Sequence, residues 1–140
     1  MEELKIMKSI FISVFMGGII LLVFSCATVP TGPLSPGEVR LLRMDVPREG
    51  DVRLGVPFMV NINFEADGRP EMRRACFFWS GDGPYCSKVT KVNYGSPGTI
   101  YVELLTWSSG QYFLESYVLY VQDGKTRRTN VVDTHIYIVR

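Results

Sequence analysis

The sequence predicts an all-β protein, a single antiparallel β-sandwich of about seven strands that follows a cleaved signal peptide. Two observations support this fold class. Apolar and polar residues alternate in several short segments, and clusters of glycine, proline, aspartate and serine separate these segments every 8 to 15 residues. After the N-terminal apolar segment, no stretch has the spacing of an amphipathic helix. A chain of 140 residues has room for one such domain.

The early strands are indicated by period-two alternation. Segment 57–65, PFMVNINFE, places Phe58, Val60, Ile62 and Phe64 on one face, as expected for a half-buried strand. The preceding segment LLRMDV predicts an edge strand with three inward residues, Leu42, Met44 and Val46. Segment 72–79, MRRACFFW, also predicts a strand, but its pattern does not decide which residues face inward.

The later strands follow the same alternation. Segment 99–107, TIYVELLTW, has three residues on its inward face, Ile100, Val102 and Leu104. Its outward face carries Tyr101, Glu103, Leu105 and Trp107. A serine-glycine turn then leads into QYFLESYVLYV, and HIYIV closes the domain with Ile136 and Ile138 inward.

The N-terminal segment has the features of a signal peptide. No charged residue occurs between Ile10 and Phe24, and these 15 residues are short for a membrane span, which needs about 20. Lys5 and Lys8 provide the positive flank. Translation from Met7 rather than Met1 would give a signal peptide of more typical composition, and the sequence leaves both starts open.

A single cysteine follows this apolar segment directly. Val23-Phe24-Ser25-Cys26 resembles the lipobox of bacterial lipoproteins, in which an aliphatic and a small residue precede a cysteine. The resemblance implies a signal peptide over residues 1–25 and a diacylglycerol on Cys26, usually with a further acyl chain such as palmitate on the new amino group. Two or three acyl chains anchor a protein stably to a membrane. No other cofactor is expected.

The residues after Cys26 extend this interpretation. Segment 27–38 holds three prolines and two glycines without apolar periodicity, which predicts a Pro/Gly-rich tether over 26–39 ahead of a domain over 40–140. Ala27 stands where lipoproteins retained at the inner membrane carry Asp, so the resemblance implies the periplasmic face of the outer membrane. Ordinary cleavage with release into the periplasm, or an uncleaved N-terminal anchor, remains an alternative.

The two remaining cysteines predict a structural disulfide. Cys76 and Cys86 flank Gly81-Asp82-Gly83-Pro84, whose residues favour a tight turn, so a hairpin would bring the thiols together. An exported protein permits disulfides. Nine intervening residues differ from the close C-x-x-C spacing of a redox-active pair.

The closing region resembles the late strands of bacterial immunoglobulin-like or PKD-like domains. The matching positions in SGQYFLESYVLYVQDGKTRRTN are Gly110, Tyr112, Asp123 and Gly124. The resemblance implies an immunoglobulin-like sandwich over residues 40–140 and a corner role for Tyr112, whose hydroxyl would bond back to the backbone.

Composition and motifs disfavour several classes of function. Residues 26–140 carry 13 Lys and Arg against 12 Asp and Glu, which gives no electrostatic reason to expect nucleic-acid binding. His135 is the single histidine, and although Asp133 lies on the same predicted face, no nucleophile accompanies them. No set of ligands suits zinc or calcium. The sequence therefore predicts neither an enzyme nor a metal site.

Aromatic residues on the predicted outward faces suggest a binding surface. One group comprises Phe113, Tyr117, His135 and Tyr137, and the other comprises Tyr101 and Trp107, on opposite sheets. Exposed aromatics of this kind mark protein or sugar surfaces. The preferred hypothesis is a membrane-tethered, non-catalytic binding or assembly module whose partner is another envelope protein. The alternatives are a soluble periplasmic binder of a glycan or peptide, which would need a concave aromatic site, and an enzyme accessory or inhibitor domain.

Overall fold

The computed structural model describes residues 29–140. The predicted signal peptide, the choice between Met1 and Met7 as start, and the predicted lipidation site at Cys26 lie outside the described residues. Within residues 29–140, no helix has the length and apolar character needed to cross a membrane.

The described chain forms two antiparallel sheets, which confirms the predicted β-sandwich. Its nine strands are β1 (Val39–Asp45), β2 (Phe58–Ala66), β3 (Glu71–Trp79), β4 (Asp82–Lys88), β5 (Lys91–Asn93), β6 (Gly98–Leu104), β7 (Gly110–Gln122), β8 (Lys125–Arg128) and β9 (Val132–Ile138). The number exceeds the predicted seven because β5 and β8 have only three and four residues, too few for a clear alternation.

The strand order is that of an immunoglobulin-like sandwich. One sheet has the order β1-β2-β6-β5, and the other has the order β4-β3-β7-β8, with β9 also paired to β7. The first order corresponds to strands A-B-E-D, while β3, β7 and the last strands correspond to C-F-G. Strand β4 extends the second sheet beyond β3 and forms its free edge.

The predicted inward faces of β2, β6 and β9 are confirmed. Alternate side chains of β2 from Phe58 to Phe64 are buried, and their partners on β6 are buried as well. The fully buried apolar side chains from both sheets include Leu41, Val60, Ile62, Phe64, Phe77, Ile100, Val102, Leu114, Val118 and Ile136. Each such side chain contributes about 1.5–3 kcal/mol by leaving water.

The predicted inward face of β1 is only partly right. Leu41 is fully buried, whereas Leu42 is half-buried, because a bulge between Leu41 and Arg43 shifts the register against β2. Met44 is buried and Val46 packs against the core, as predicted. A bulge adds one residue to a strand and so changes the face of the residues beside it.

The β8–β9 connection closes the sandwich at β1. The Asn130 side chain accepts a hydrogen bond from the Leu41 N–H at 2.8 Å and donates to the Leu41 carbonyl at 2.9 Å. These two bonds satisfy the backbone groups of one residue at the free edge of β1, much as a neighbouring strand would. Beside it, the Thr129 hydroxyl accepts from the Val118 N–H at 2.9 Å.

The segment before β1 lies on the domain, which differs from the loose tether predicted over residues 26–39. The buried Arg40 guanidinium donates to the Gly32 carbonyl at 2.6 Å and to the Pro33 carbonyl at 3.4 Å, and it pairs with Glu38 at 3.2 Å. The Gly37 N–H donates to Asp67 at 2.8 Å. Residues 32–38 therefore belong to the folded domain. The prolines and glycines predicted a spacer, but the buried Arg40 binds the carbonyls of Gly32 and Pro33.

The predicted disulfide between Cys76 and Cys86 is present. The two residues face each other across β3 and β4, with their Cα atoms 3.9 Å apart. The turn between the strands has positive φ at Ser80 and Gly81, and a Cβ at Gly83 would lie 2.6 Å from the Phe77 carbonyl oxygen. Glycine is therefore required at position 83.

Replacing both Cys76 and Cys86 by alanine is expected to lower the free energy of unfolding by about 2–3 kcal/mol, because the bridge restricts the unfolded chain over a short loop. Urea denaturation of the oxidised wild type and the double variant measures this difference. Addition of reductant should lower the wild-type midpoint and leave that of the variant unchanged. Equal midpoints for both proteins before reduction would contradict the prediction.

Candidate binding cleft

The first predicted aromatic group lies on the outer face of the five-stranded sheet. Phe113 on β7 packs against His135 on β9 with ring centroids 5.3 Å apart, and Tyr137 is 37% exposed. Tyr117, however, is only 8% exposed. Its predicted exposure is wrong, because β7 has a neighbour on each side whose long side chains reach over it.

Two side chains cover the Tyr117 ring. Phe78 on β3 lies 6.1 Å from it between centroids, and the Arg128 guanidinium on β8 lies 3.9 Å above its centre. The ring is thus held by an aromatic contact and a cation–π contact. The first group therefore lacks Tyr117 as an exposed ring, while His135 and Tyr137 stay exposed and Phe113 is half-buried.

The residues of the second predicted group, Tyr101 and Trp107, lie on different parts of the domain. Tyr101 lies on the outer face of the four-stranded sheet, where Lys91 is 5.8 Å from its ring centre and the Asn93 amide donates to its hydroxyl at 3.5 Å. Trp107 is not on that face, because β6 ends at Leu104 and the chain turns. The Trp107 indole is 78% exposed and lies against Gly55, where a Cβ would come within 3.0 Å of its ring.

Trp107 instead forms one side of a concave cleft. The cleft has a volume of about 650 Å³ and opens between the free edge strand β4 and the loop that follows β6. Its lining residues are Phe77, Trp79, Asp82, Tyr85, Ser87, Leu104, Leu105, Thr106, Trp107, Ser108 and Tyr112. Both tryptophans of the chain and two of its tyrosines are among them.

Tyr112 fixes the floor of the cleft. Its ring meets Trp79 edge to face, with centroids 5.5 Å apart and planes at 88°. Its hydroxyl donates to the Ser108 hydroxyl at 2.8 Å and lies 3.4 Å from the Ser109 carbonyl. The hydroxyl thus bonds back to the loop that precedes β7, mainly to the Ser108 side chain, and the corner role that the resemblance implied for Tyr112 stays a prediction.

Asp82 and Tyr85 on β4 form the opposite wall. The Tyr85 hydroxyl donates to Asp82 Oδ2 at 2.9 Å. That hydrogen bond and the negative charge of Asp82 raise the pKa of Tyr85 above its ordinary value of 10. Tyr85 is 56% exposed, and its ring is open to a ligand.

The β3–β4 turn is attached to β7 by two hydrogen bonds. The Ser80 N–H donates to the Phe113 carbonyl at 2.7 Å, and the Phe113 N–H donates to the Ser80 hydroxyl at 3.1 Å. Together with the Cys76–Cys86 bridge, these bonds hold β4 in place. The wall of the cleft is therefore rigidly positioned, which limits the entropy lost on binding.

The chemistry of the cleft suits binding. Its lining has aromatic rings, four hydroxyl-bearing side chains besides Tyr85, and the single carboxylate of Asp82, but no lysine, arginine, histidine or cysteine. Glycoside hydrolysis needs two carboxylates, and acyl transfer needs a nucleophile with a base. His135 and Asp133 lie on another face of the domain. Among residues 29–140, no group of three or more His, Cys, Asp or Glu is placed to hold a metal ion.

Sequence patterns alone did not identify Trp79, Asp82 and Tyr85 as part of a site. Each tryptophan precedes a serine-glycine turn, in WSGDG and WSSG, and both turns fall at the same end of the sandwich. This repeated Trp-Ser turn is the sequence feature that could have indicated the site. Comparisons with protein-family models, with curated proteins and with solved structures found no match.

Replacing Tyr112 by phenylalanine is expected to lower the free energy of unfolding by about 0.5–1.5 kcal/mol, because the hydroxyl loses its hydrogen bonds to the 108–109 loop. Urea denaturation gives the value. Tyr137→Phe is the matched control, since Tyr137 is exposed and its hydroxyl bonds no other described residue. If the two substitutions have the same effect, Tyr112 does not hold the loop.

Proposed function

We propose that this chain is a lipid-anchored, non-catalytic binding module of the bacterial cell envelope, and that it binds its ligand in the Trp/Tyr cleft. The cleft carries the proposal, since ligand sites are concave, largely apolar and provided with a few placed polar groups. The outer sheet faces support a docking role less well. Tyr117 is covered, and Tyr101 is engaged by Lys91 and Asn93.

A neutral glycan is the ligand class that the lining favours. Sugar rings present apolar C–H faces to aromatic side chains and hydroxyls to polar ones. Trp107 and Tyr85 supply exposed rings on the two sides of the cleft, and Asp82, Ser87 and Ser108 supply hydrogen-bonding groups. Because the lining holds a carboxylate and no cation, it disfavours acidic ligands by charge.

An extended peptide is a second candidate, favoured by the free edge of β4. The Val89 N–H donates to the Arg73 carbonyl at 3.1 Å, which identifies these two as a hydrogen-bonded pair of the antiparallel ladder. By the alternation of such ladders, the backbone groups of Cys86 and Lys88 point away from β3. A peptide strand that bound there would place its side chains beside the cleft.

The anchor is proposed on the Val23–Cys26 motif that ends the apolar leader. Cys26 lies three residues before the first described residue, Val29, and six before Gly32, which Arg40 holds to the domain. A chain spans at most about 3.6 Å per residue. The domain would therefore stand within about 20 Å of its acylated cysteine, as a membrane-proximal module.

Glycan-array screening of the full chain, followed by titration of tryptophan fluorescence, tests the cleft. We expect saturable binding of a neutral oligosaccharide with a change in emission, because both tryptophans lie in the cleft. Trp107→Ala and Tyr85→Ala should each weaken binding by about tenfold or more, as removal of a stacking aromatic does.

Tyr137→Ala and Tyr101→Ala are the matched controls on the two outer sheet faces, and they should leave the affinity unchanged. If these controls abolish binding while Trp107→Ala does not, the site is on a sheet face and the cleft proposal is wrong. Binding of an extended peptide but no glycan would favour the second candidate.

A further inference from the structure

Residues 32–34, which follow the proposed anchor in the chain, and the cleft lie at opposite ends of the sandwich. Gly32, Pro33 and Leu34 lie beside Glu65, Ala66 and the 95–96 loop, at the end where β2 passes into β3. The cleft lies at the end where β3 passes into β4 and where β6 ends. We call the end where β2 passes into β3 the tether end. Strand β7 runs between the two ends with 13 residues, or about 40 Å at 3.3 Å per residue.

Charge is distributed unevenly between these ends. A cut across both sheets, between Asn61 and Ile62 on β2 and between Ser116 and Tyr117 on β7, divides the domain into two halves. The tether-end half carries nine Lys and Arg against five Asp and Glu. The cleft half carries four against seven. The nearly neutral domain over residues 29–140 is therefore a dipole, with a net charge of +4 in the tether-end half and −3 in the cleft half.

Three cations stand in one row across the outer face of the five-stranded sheet. The register places Lys88 opposite Arg74, Arg74 opposite Leu119, and Leu119 opposite Arg128. All three cations are exposed. Within residues 29–140 the ion pairs are Glu38–Arg40, Asp45–Arg43 and Glu71–Arg73, so no described carboxylate lies within 4.0 Å of the row.

Repulsion between the cations of this row destabilises the folded domain. Like charges directly opposite each other destabilise a pair of strands, and Arg74 faces Lys88. Arg127 and Lys125 on β8 and Arg73 on β3 add further exposed cations at the same end. An external anionic surface would relieve the repulsion.

We propose that the outer face of the five-stranded sheet, in its tether-end half, binds the anionic headgroups of the membrane that holds the anchor, through the Lys88–Arg74–Arg128 row, so that the cleft end of the domain lies farther from the bilayer. This inference rests on the proposed anchoring at Cys26. A short connection and an electrostatic contact then act together, because a connection of six residues keeps Gly32, at the tether end, within about 20 Å of the acylated cysteine. Each cation near an anionic bilayer strengthens binding about fivefold.

Energy transfer from the two tryptophans to a dansyl-labelled lipid measures the orientation, because both tryptophans lie at the cleft end. The full lipidated chain is reconstituted in vesicles of phosphatidylcholine alone or mixed with phosphatidylglycerol. We expect little transfer in the anionic vesicles at low salt. Transfer should increase at high salt and in phosphatidylcholine alone, where the domain is free to tilt toward the bilayer.

A triple variant with Arg74→Gln, Lys88→Gln and Arg128→Gln should show high transfer even in anionic vesicles. Because Arg128 also contacts Tyr117, the double variant Arg74→Gln/Lys88→Gln is measured beside it, and far-UV circular dichroism checks the fold. The control removes three cations from the cleft half, with Arg48→Gln, Arg53→Gln and Arg140→Gln, and should behave as wild type. Equal transfer for all variants and both lipid mixtures would overturn the proposal.

Vesicle flotation separates failure of this inference from failure of the anchor. An acylated chain floats with uncharged phosphatidylcholine vesicles, whereas an unacylated chain does not. If the anchor fails, the row still predicts salt-sensitive flotation with phosphatidylglycerol vesicles, weakened about fivefold by each Gln substitution. No such flotation would overturn the inference. Loss of flotation on adding inorganic phosphate at constant ionic strength would also overturn it, by identifying a free-phosphate site.

Discussion

Strand β7 is the constraint on which the rest of the structure depends. Its 13 residues pair with β3 along one edge and with β9 and then β8 along the other. Two inward tyrosines mark its ends, since Tyr112 supports the cleft and the Tyr120 hydroxyl lies 3.4 Å from both the Gly37 carbonyl and the Val39 N–H. A continuous strand cannot shorten, so it fixes the separation between residues 37–39 and the proposed ligand site.

The free edge of the second sheet gives the cleft its form. An exposed edge strand tends to fray or to pair with other chains, and natural proteins protect such edges. Here the Cys76–Cys86 bridge and the hydrogen bonds of Ser80 hold β4 without covering it. Asp82 and Tyr85 therefore stay both exposed and fixed. Stability and accessibility of the same strand come from one covalent bond and one turn.

The fold was predictable from local pattern, whereas the cleft was predictable only through single residues such as Trp107. Alternation identified β2 and β6, and turn chemistry identified the disulfide hairpin, because both depend on neighbouring residues only. The burial of Leu41 in place of Leu42 follows from a bulge, which leaves no mark in the alternation. Tyr117 is covered by residues of two other strands, and the cleft joins β4 to a loop of the opposite sheet. Contacts between distant segments of this kind require the tertiary structure.

The proposed orientation of the domain depends on the proposed anchor at Cys26. The direct test of this anchor is the intact mass of the protein, purified from the membrane fraction of a bacterial host and measured with and without reductant. The expected mass equals residues 26–140 plus diacylglycerol and an acyl chain, and it should increase by two hydrogens when the Cys76–Cys86 bridge is reduced. A mass without acyl groups, beginning after a different cleavage point, would contradict the lipid anchor.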